Sequence, residues 1–474
     1  MRIIFLIALA VFSLFYAPKM ATAQSSPLPN IIIFLVDDLG WADLNCYGSD
    51  LHETPNIDKL ARMGVRFTHA YSASTVCSPS RAAIMTGKYP ARLNITDWIS
   101  GSINKYGKVQ VPDWQKFLPL EEETLAEYLK GKGYSTGHIG KWHLGEDTIY
   151  YPQHQGFDVN IAGYSKGSPP SYFYPYERQN RDPIPYLEGG EEGEYLTDRL
   201  TEEALHFIKK QASKPFFLNF DHYSVHTPIQ AKEEQRQYYE SKIQEGMTHQ
   251  NAKYAAMVHS TDESMGRIME LLDSLEIMSN TMIIFTSDNG GLILRNITSN
   301  APLRSGKGSP YEGGTRVPMI IKPAHEASLG FESEEPVISM DIFATIRGLL
   351  EEGSQVVYED GYSLLPLLEA EDNSLKREAL YWHYPHHHQG GSAPHSAIRM
   401  GNYKLIEFYE KDEHELYHLV EDIGESQNLV HQQSEISKDL YQQLKKWKVE
   451  VGAQLPTPNP HYDSLKALEY YHNW

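Results

Sequence analysis

Cysteine is scarce in this chain, which has only two, Cys46 and Cys77, among 474 residues. Two cysteines form at most one disulfide, so the sequence excludes a disulfide-rich scaffold. One structural bridge between them is the simplest interpretation of the count. The residues around Cys77 must decide between that bridge and a chemical role for its thiol.

Positive charge is also in deficit. The chain has 42 lysines and arginines against 62 aspartates and glutamates, which gives a formal net charge of −20 at pH 7. A surface this acidic argues against a nucleic-acid partner. If the substrate is itself an anion, its site must concentrate positive charge locally against the field of the whole protein.

Long apolar runs are missing after the first residues. The sequence opens MRIIFLIALAVFSLFYAPKMATAQ, with a positive Arg2, an apolar run over residues 3–16 and small residues before Gln24. This is the pattern of a secretory signal, and its apolar run is too short to span a membrane. We therefore expect a signal peptide at residues 1–23, an exported chain that is periplasmic or secreted, and no transmembrane segment.

The remaining chain, residues 24–474, exceeds what one compact core usually holds, which predicts a large and a smaller domain. Up to about residue 370, short β-branched runs such as NIIIFLVDDLG, YSTGHIG, KPFFLNF and TMIIFTSD alternate with helix-length segments. This alternation predicts an α/β domain over residues 24–370, with a mostly parallel sheet sandwiched by helices. Residues 371–474 show shorter alternating segments and a final amphipathic stretch, which predict an α+β domain with a small antiparallel sheet and a terminal helix.

Oxygen ligands follow two of the predicted strands. Asp37 and Asp38 end the first run, and Asp288 and Asn289 end TMIIFTSDN. Ligands of parallel sheets bind beyond the carboxyl ends of the strands, where these side chains would meet. Carboxylate and amide oxygens suit a hard divalent cation, so we expect Ca²⁺, with Mg²⁺ as the second choice. The alternative for either pair alone is capping of a turn.

Cationic and titratable residues follow the other strands. Lys141 and His143 are two residues apart in GYSTGHIGKWHLG and would face one side of an extended segment. His226 precedes a proline, and Lys307 lies in a glycine-rich loop. Together they would suit an anionic substrate. The alternatives are a surface lysine, a core histidine and ordinary glycine turns.

The motifs together resemble one family. CSPSR at residues 77–81, continued by AAIMTG, matches the C-x-P-x-R signature of the formylglycine-dependent sulfatases of the alkaline phosphatase superfamily. GYSTGHIGKWHLG resembles the second signature of that family, and DDLG, SDNG, GKG and EGGTRVP occur in the family's order. The resemblance covers roughly residues 30–320, with HELYHLVEDIGESQNLV resembling the C-terminal segment. An ordered set of motifs is far more specific than a single CxPxR.

The resemblance implies a nucleophile and a metal site. In such proteins a maturation enzyme oxidises the cysteine to formylglycine during export, so Cys77 would be 3-oxoalanine and Cys46 an unpaired, buried thiol. Modified Cys77 would hold calcium together with Asp37, Asp38, Asp288 and Asn289. Arg81 and Lys141 would orient the hydrated aldehyde, and Lys141 with Lys307 would neutralise the sulfate. His226 would protonate the leaving oxygen, and His143 would accept a proton when sulfate is expelled.

The resemblance also implies a sulfated poly- or oligosaccharide as substrate. Ser165 lies where some relatives have a sulfate-contacting serine, and the small domain of relatives contributes loops that select the sugar. We expect His383, His386 and Arg399 to contribute in this way, with an exposed polar loop and a structural ion pair as the alternatives. An algal polysaccharide such as ulvan or carrageenan is the preferred substrate. The alternatives are a glycosaminoglycan sulfatase, a formylglycine-dependent phosphodiesterase or phosphonate hydrolase, and a non-catalytic sulfoglycan-binding protein.

Overall fold

The structure is a computed structural model that describes residues 28–181, 183–325, 329–351, 357–411 and 413–472. The predicted signal peptide, residues 1–23, lies outside the described residues. Among the described helices, none combines the length and the apolar character needed to cross a bilayer.

The described residues form eighteen strands and twelve α-helices, with four short 3₁₀ helices at Asn45–Tyr47, Thr148–Tyr150, Pro152–His154 and Leu294–Asn296. The strands are β1 (Asn30–Val36), β2 (Val65–Phe67), β3 (Ala70–Tyr71), β4 (Val109–Gln110), β5 (Ser135–Gly140), β6 (Val159–Ile161), β7 (Phe216–Asp221), β8 (Thr281–Ser287), β9 (Met319–Lys322), β10 (Phe331–Ser333), β11 (Val337–Ile338), β12 (Val357–Tyr358), β13 (Gly361–Tyr362), β14 (Ala379–Tyr384), β15 (His395–Met400), β16 (Tyr403–Phe408), β17 (Glu415–His418) and β18 (Thr457–Pro458). The helices are α1 (Pro55–Met63), α2 (Cys77–Thr86), α3 (Pro90–Leu93), α4 (Leu125–Gly131), α5 (Leu196–Gln211), α6 (Glu233–Glu240), α7 (Ala252–Ser274), α8 (Glu312–Thr315), α9 (Asp341–Leu350), α10 (Leu365–Glu369), α11 (Ser434–Glu450) and α12 (Ser464–His472).

The large sheet has eight strands in the order β10-β2-β9-β8-β1-β7-β5-β6. The five consecutive strands from β8 to β6 are parallel, and β9 is antiparallel to both of its neighbours. β1 lies at the centre, with Ile33 paired to Asn219 of β7 on one side and Ile284 of β8 on the other. The mostly parallel sheet expected from the sequence is therefore confirmed.

Helices cover both faces of this sheet. Alternate residues of β1 point to opposite faces, which places Ile32, Phe34 and Val36 in a core with α1, α5 and α7. The other residues, Ile31, Ile33 and Leu35, join a second core with α2, α4, α9 and α10. Because β1 is buried on both faces, its sequence is a continuous apolar run and not an alternation of apolar and polar residues.

The C-terminal part forms a second sheet, in which β14, β15, β16 and β17 pair in order and antiparallel. Leu440, Leu444 and Trp447 of α11 pack in one hydrophobic cluster with this sheet and with Tyr71 and Ala83 of the first part of the chain. The expected antiparallel sheet and the helix α11 are confirmed, whereas α12 was not expected. The boundary at residue 370 falls between α10 and β14, and the division into two domains stays a prediction.

Candidate active site

The carboxyl ends of four neighbouring parallel strands bring together the acidic, basic and amide side chains of the candidate site. Asp37 and Asp38 follow β1, Lys141 follows β5, Asp221 ends β7, and Asp288 with Asn289 follows β8. These strands are adjacent in the order β8-β1-β7-β5. Side chains far apart in sequence therefore meet at one edge of the sheet, as the strand pattern predicts.

Cys77 is the first residue of α2 and is buried. Lys307 Nζ lies 3.4 Å from its Sγ. Burial raises the pKa of the Cys77 thiol. Both cysteines are free, so the disulfide alternative is wrong. Cys46 is half-buried rather than fully buried, and burial raises the pKa of its thiol as well.

The expected metal ligands form one buried acidic cluster. Asp37 Oδ2 accepts from Lys141 Nζ at 2.7 Å. Asp38 Oδ1 accepts from Lys307 Nζ at 2.6 Å and from Asn289 Nδ2 at 2.8 Å. Asp288 Oδ1 accepts from the Asp38 backbone N–H at 3.2 Å. The ligand atoms of Asp37, Asp38, Cys77 and His226 lie within 4.8 Å of one another.

This cluster fits a hard divalent cation. Asp37 Oδ1, Asp38 Oδ2 and Asn289 Oδ1 are buried without a hydrogen-bond partner, so each has a lone pair to offer. Burial raises the pKa of Asp37 well above its ordinary value, because the nearby lysine and arginine do not fully offset the loss of water. A cation among these oxygens would supply the missing compensation, and an oxygen-rich donor set suits Ca²⁺ or Mg²⁺.

Arg81 organises the acidic cluster from one side. Its side chain is buried, with Nε donating to Asp288 Oδ2 at 2.9 Å and one Nη donating to Asp221 Oδ2 at 3.1 Å and to the Lys141 carbonyl at 2.8 Å. Asp221 was missed in the sequence, although it ends its strand one residue past KPFFLNF. Burial raises the pKa of Asp221 to about 7.

The two expected histidines both line the site. His143 Nε2 is bonded to the Ile99 carbonyl, which leaves its buried Nδ1 without a partner, and burial lowers the pKa of this ring. His226 Nδ1 lies 2.9 Å from the Thr227 carbonyl, so it donates, and His226 Nε2 lies 3.5 Å from Asp38 Oδ2. Burial lowers the pKa of His226 to about 3.

A cavity of about 840 Å³ opens above Cys77. Four expected catalytic residues reach its wall: Cys77, His143, His226 and Lys307. Ser165 is also in the wall, as expected. His388, from the histidine cluster expected to rim the pocket, is in the wall as well. Sequence reasoning missed most of the remaining wall, which includes Trp98, Glu146, Lys166, Arg181 and Gln389.

Three residues expected to select the sugar do not reach this cavity. His383 is buried between Ser396 Oγ at 2.7 Å and the Gln454 carbonyl at 2.9 Å. His386 is buried against Thr96 Oγ1 at 2.8 Å. Arg399 is buried and donates to the Tyr71 hydroxyl. The strand β14 turns His383 inward, and the loop after it presents His388 and Gln389 to the cavity instead, so these three assignments are corrected.

A buried cysteine, several cations and an oxygen-rich acidic cluster at one edge of an α/β sheet are compatible with a hydrolase of anionic esters. A sulfatase family model matches residues 29–352, and a model described as N-sulphoglucosamine sulphohydrolase, C-terminal, matches residues 306–450. The chain therefore belongs to the sulfatase family of sulfuric ester hydrolases, as its motifs indicate.

Individual relatives agree with this assignment. The chain is 36% identical over 362 residues to human N-acetylgalactosamine-6-sulfatase, covering 72% of this chain and 66% of the human protein. It is 30% identical over 525 residues to a sulfatase of Formosa agariphila, covering 94% of each. The structure of Ps i-CgsB in complex with k-i-k-neocarrahexaose has a TM-score of 0.76 and 29% identity, covering 93% of this chain and 96% of that one. The match to the human enzyme spans just under two thirds of its length.

Proposed function

We propose that this protein hydrolyses sulfate esters of a sulfated oligosaccharide, with residue 77 as the nucleophile. The observation that carries the proposal is the placement of Cys77. It opens α2 in the wall of the cavity, beside Lys307 and the acidic cluster. The free N–H groups and the dipole at the start of α2 favour an anionic group at this point.

Two groups that the family implies would supply the central chemistry. A divalent cation held by Asp37, Asp38, Asp288 and Asn289 would polarise a sulfate oxygen and favour the ionised nucleophile. Formylglycine at position 77, once hydrated, would supply one hydroxyl to attack sulfur and a second whose deprotonation re-forms the aldehyde and releases sulfate. We propose that a formylglycine-generating enzyme carries out this conversion.

The three cationic residues of the site have two kinds of role: one contacts the substrate, and two hold acidic side chains in place. Lys307 lines the cavity and would neutralise the sulfate. Lys141 is buried and bonded to Asp37, so it holds that carboxylate in place. Arg81 positions Asp288 and Asp221 in the same way. We therefore place Lys307 in contact with the sulfate and the other two cations one layer behind it.

The two histidines would move protons at defined atoms. His226 donates through Nδ1 to Thr227, so Nε2 is the atom free to exchange a proton with the leaving oxygen. Its low pKa means that the ring is neutral before substrate binds, and the negative charge of a bound sulfate would favour its protonation. His143 presents an unpartnered Nδ1 that would accept a proton when sulfate is expelled.

The carrageenan type of algal oligosaccharide is the substrate that we propose first. The support is the relative solved with k-i-k-neocarrahexaose, which covers 93% of this chain. Ulvan fragments and glycosaminoglycan fragments are the alternatives, the latter supported by the similarity to N-acetylgalactosamine-6-sulfatase.

We also propose that the protein is exported, because of the signal-like residues 1–23. Fractionation of cells and sequencing of the mature N-terminus test this, and a chain retained in the cytoplasm contradicts it.

The decisive experiment measures sulfate release by protein co-expressed with a maturation enzyme. The substrates are defined carrageenan, ulvan and glycosaminoglycan oligosaccharides, with nitrophenyl sulfate and a nitrophenyl phosphate diester for comparison. We expect sulfate release to exceed diester cleavage, and Cys77→Ser to bind substrate without repeated turnover. Cys46→Ser is the matched control and keeps activity. Full turnover by Cys77→Ser, an unconverted thiol in active protein, or faster diester cleavage would each overturn the proposal.

A further inference from the structure

Two exposed cations line the outer wall of the cavity. Lys166 and Arg181 both contribute to the wall and are both exposed to solvent. Arg181 donates from one Nη to Ser168 Oγ at 3.1 Å, which ties its guanidinium to the segment that carries Lys166. In the parts of the chain that the structure describes, neither residue lies within ion-pair distance of a carboxylate. We call this pair the rim cations.

Unpaired cations are unexpected in so acidic a protein. The formal net charge is −20, and most other lysines and arginines near the site are paired, as Lys307 is with Asp38 and Lys141 with Asp37. The remaining carboxylate of the cavity wall, Glu146, lies near Lys116, which offsets part of its charge. The rim cations therefore have positive charge that no described side chain neutralises.

Lys166 lies on a segment in direct contact with the reaction site, and Arg181 is bonded to that segment through Ser168. The Tyr164 carbonyl accepts from the His143 backbone N–H at 3.0 Å. Gly167 packs so closely on the His143 imidazole that an added Cβ would lie 2.4 Å from its Cε1. Lys166 lies between these two contacts in sequence. An anionic group held by the rim cations would thus belong to the same bound molecule as a sulfate beside Cys77.

We propose that the rim cations bind a second anionic group of the substrate, so that the enzyme prefers oligosaccharides with an anion near the sulfate that it removes. This inference rests on the proposed function and narrows it. The planar fork of Arg181 suits the paired oxygens of a sulfate or a carboxylate, and Lys166 adds a point charge. A cavity of about 840 Å³ has room for more than the sulfate group itself.

The test compares oligosaccharides of one backbone and length that carry one sulfate, two sulfates, or one sulfate and one uronic carboxylate. For the matured enzyme we expect kcat/KM to be higher on one of the two doubly charged oligosaccharides than on the singly sulfated one. The preferred oligosaccharide shows whether the second anion is a sulfate or a carboxylate. Lys166→Ala and Arg181→Ala should each lower the ratio of doubly to singly charged substrate about fivefold, and the double variant should lower it roughly tenfold or more. Lys166→Arg should keep most of the ratio, whereas Arg181→Lys keeps the charge but loses the planar fork and should keep only part of it.

Arg178→Ala is the matched control, because Arg178 is an exposed arginine on the same turn that does not line the cavity. It should leave the ratio unchanged. If the enzyme releases sulfate but the ratio is the same in the double variant, the rim inference is wrong and the proposed function stands. If no substrate releases sulfate, the proposed function is wrong. The inference is then tested by measuring how tightly the doubly charged oligosaccharide binds to Cys77→Ser with and without the two rim substitutions. Equal affinities contradict it, and weaker binding by the rim variant supports it.

Discussion

Arg81 shows how much of the site depends on single side chains. One guanidinium bonds to two carboxylates and a carbonyl, each from a different strand end. A buried charge of this kind is tolerated because every partner is fixed by the sheet. The arginine of the C-x-P-x-R motif thus has a structural role besides the part in modification that we propose for the motif, since Arg81 joins the helix that begins at Cys77 to the acidic cluster.

Gly167 provides a prediction at the residue scale. The Gly167→Ala change puts a methyl group against the His143 ring, which is buried and held by the Ile99 carbonyl. We expect kcat to fall about tenfold or more, because small displacements of catalytic groups are costly. Steady-state kinetics on nitrophenyl sulfate measure this effect.

Gly131→Ala is the control for that change, because a Cβ at Gly131 meets nothing within 4 Å. It should leave kcat close to that of the original protein. An unchanged kcat in Gly167→Ala would show that the His143 ring moves aside freely and that its position is not critical.

Among the elements, the loop before α7 is fixed to the loop after β1 by an imidazole. His249 Nδ1 lies 2.8 Å from Asp50 Oδ1, and Nε2 lies 3.1 Å from the Ser299 carbonyl and 3.4 Å from Asp43 Oδ1. Asp43 in turn accepts from the Gly40 N–H at 2.7 Å and the Tyr254 hydroxyl at 2.6 Å, beside the candidate metal ligands of the DDLG turn. A protonated His249 therefore supports the turn that carries Asp37 and Asp38.

A pH dependence follows from this arrangement. Burial alone would lower the pKa of His249, but its bonds to Asp43 and Asp50 raise the pKa to about 9. The protonated ring stabilises the fold fully below its ordinary pKa of about 6.5, and this contribution is lost as pH rises through 9. We expect about 3 kcal/mol of the free energy of unfolding to disappear over that range. Urea unfolding between pH 6 and 10 measures this loss. In His249→Gln the free energy of unfolding should depend less steeply on pH. An equally steep dependence in that variant would assign the loss to another group.

At the scale of the whole molecule, buried charges join the two sheets. Lys404 of β16 donates to Glu312 of α8 at 2.9 Å and lies 3.4 Å from Glu425. All three side chains are buried, and burial raises the pKa of Glu425 to about 7. Glu312 lies in the motif that follows the Lys307 loop, so the C-terminal sheet helps to hold in place the loop of the residue that we propose to contact the sulfate.

Loss of Lys404 should therefore affect stability across the molecule. Lys404→Met removes the cation that faces the buried Glu425 and leaves the buried Glu312 with Arg316 alone as its ion-pair partner among the described residues. We expect it to lower the free energy of unfolding by about 3 kcal/mol. Lys411→Met is the matched control, because its pair with Glu415 is half exposed and such pairs contribute about 1 kcal/mol or less. Denaturant unfolding compares the two variants, and equal costs would show that the buried network is not critical.

Metal binding should also act on the whole fold. Asp37 and Asp38 follow one strand and Asp288 follows the next, and Asp38 and Asp288 both repel the Asp37 carboxylate. A bound cation would offset this repulsion. We expect EDTA to abolish sulfate release and to lower the unfolding temperature by several degrees, since a ligand that binds only the native state stabilises it. Calcium should restore both properties. Retention of full activity after exhaustive chelation would remove the metal from the mechanism.

The sequence by itself determined where the main strands end, where the acidic pairs lie and which cysteine begins a helix, because these are local signals: a β-branched run, a pair of carboxylates, a CSPSR motif at the start of a helix. Only the tertiary structure decided which side chains form the cavity wall. Asp221 was missed because a single aspartate carries no pattern. Of the histidines at residues 383–388, His388 lines the cavity and His383 and His386 do not, because the direction of each side chain depends on packing against distant residues. The rim cations likewise come from an irregular loop, where no periodicity links sequence to position.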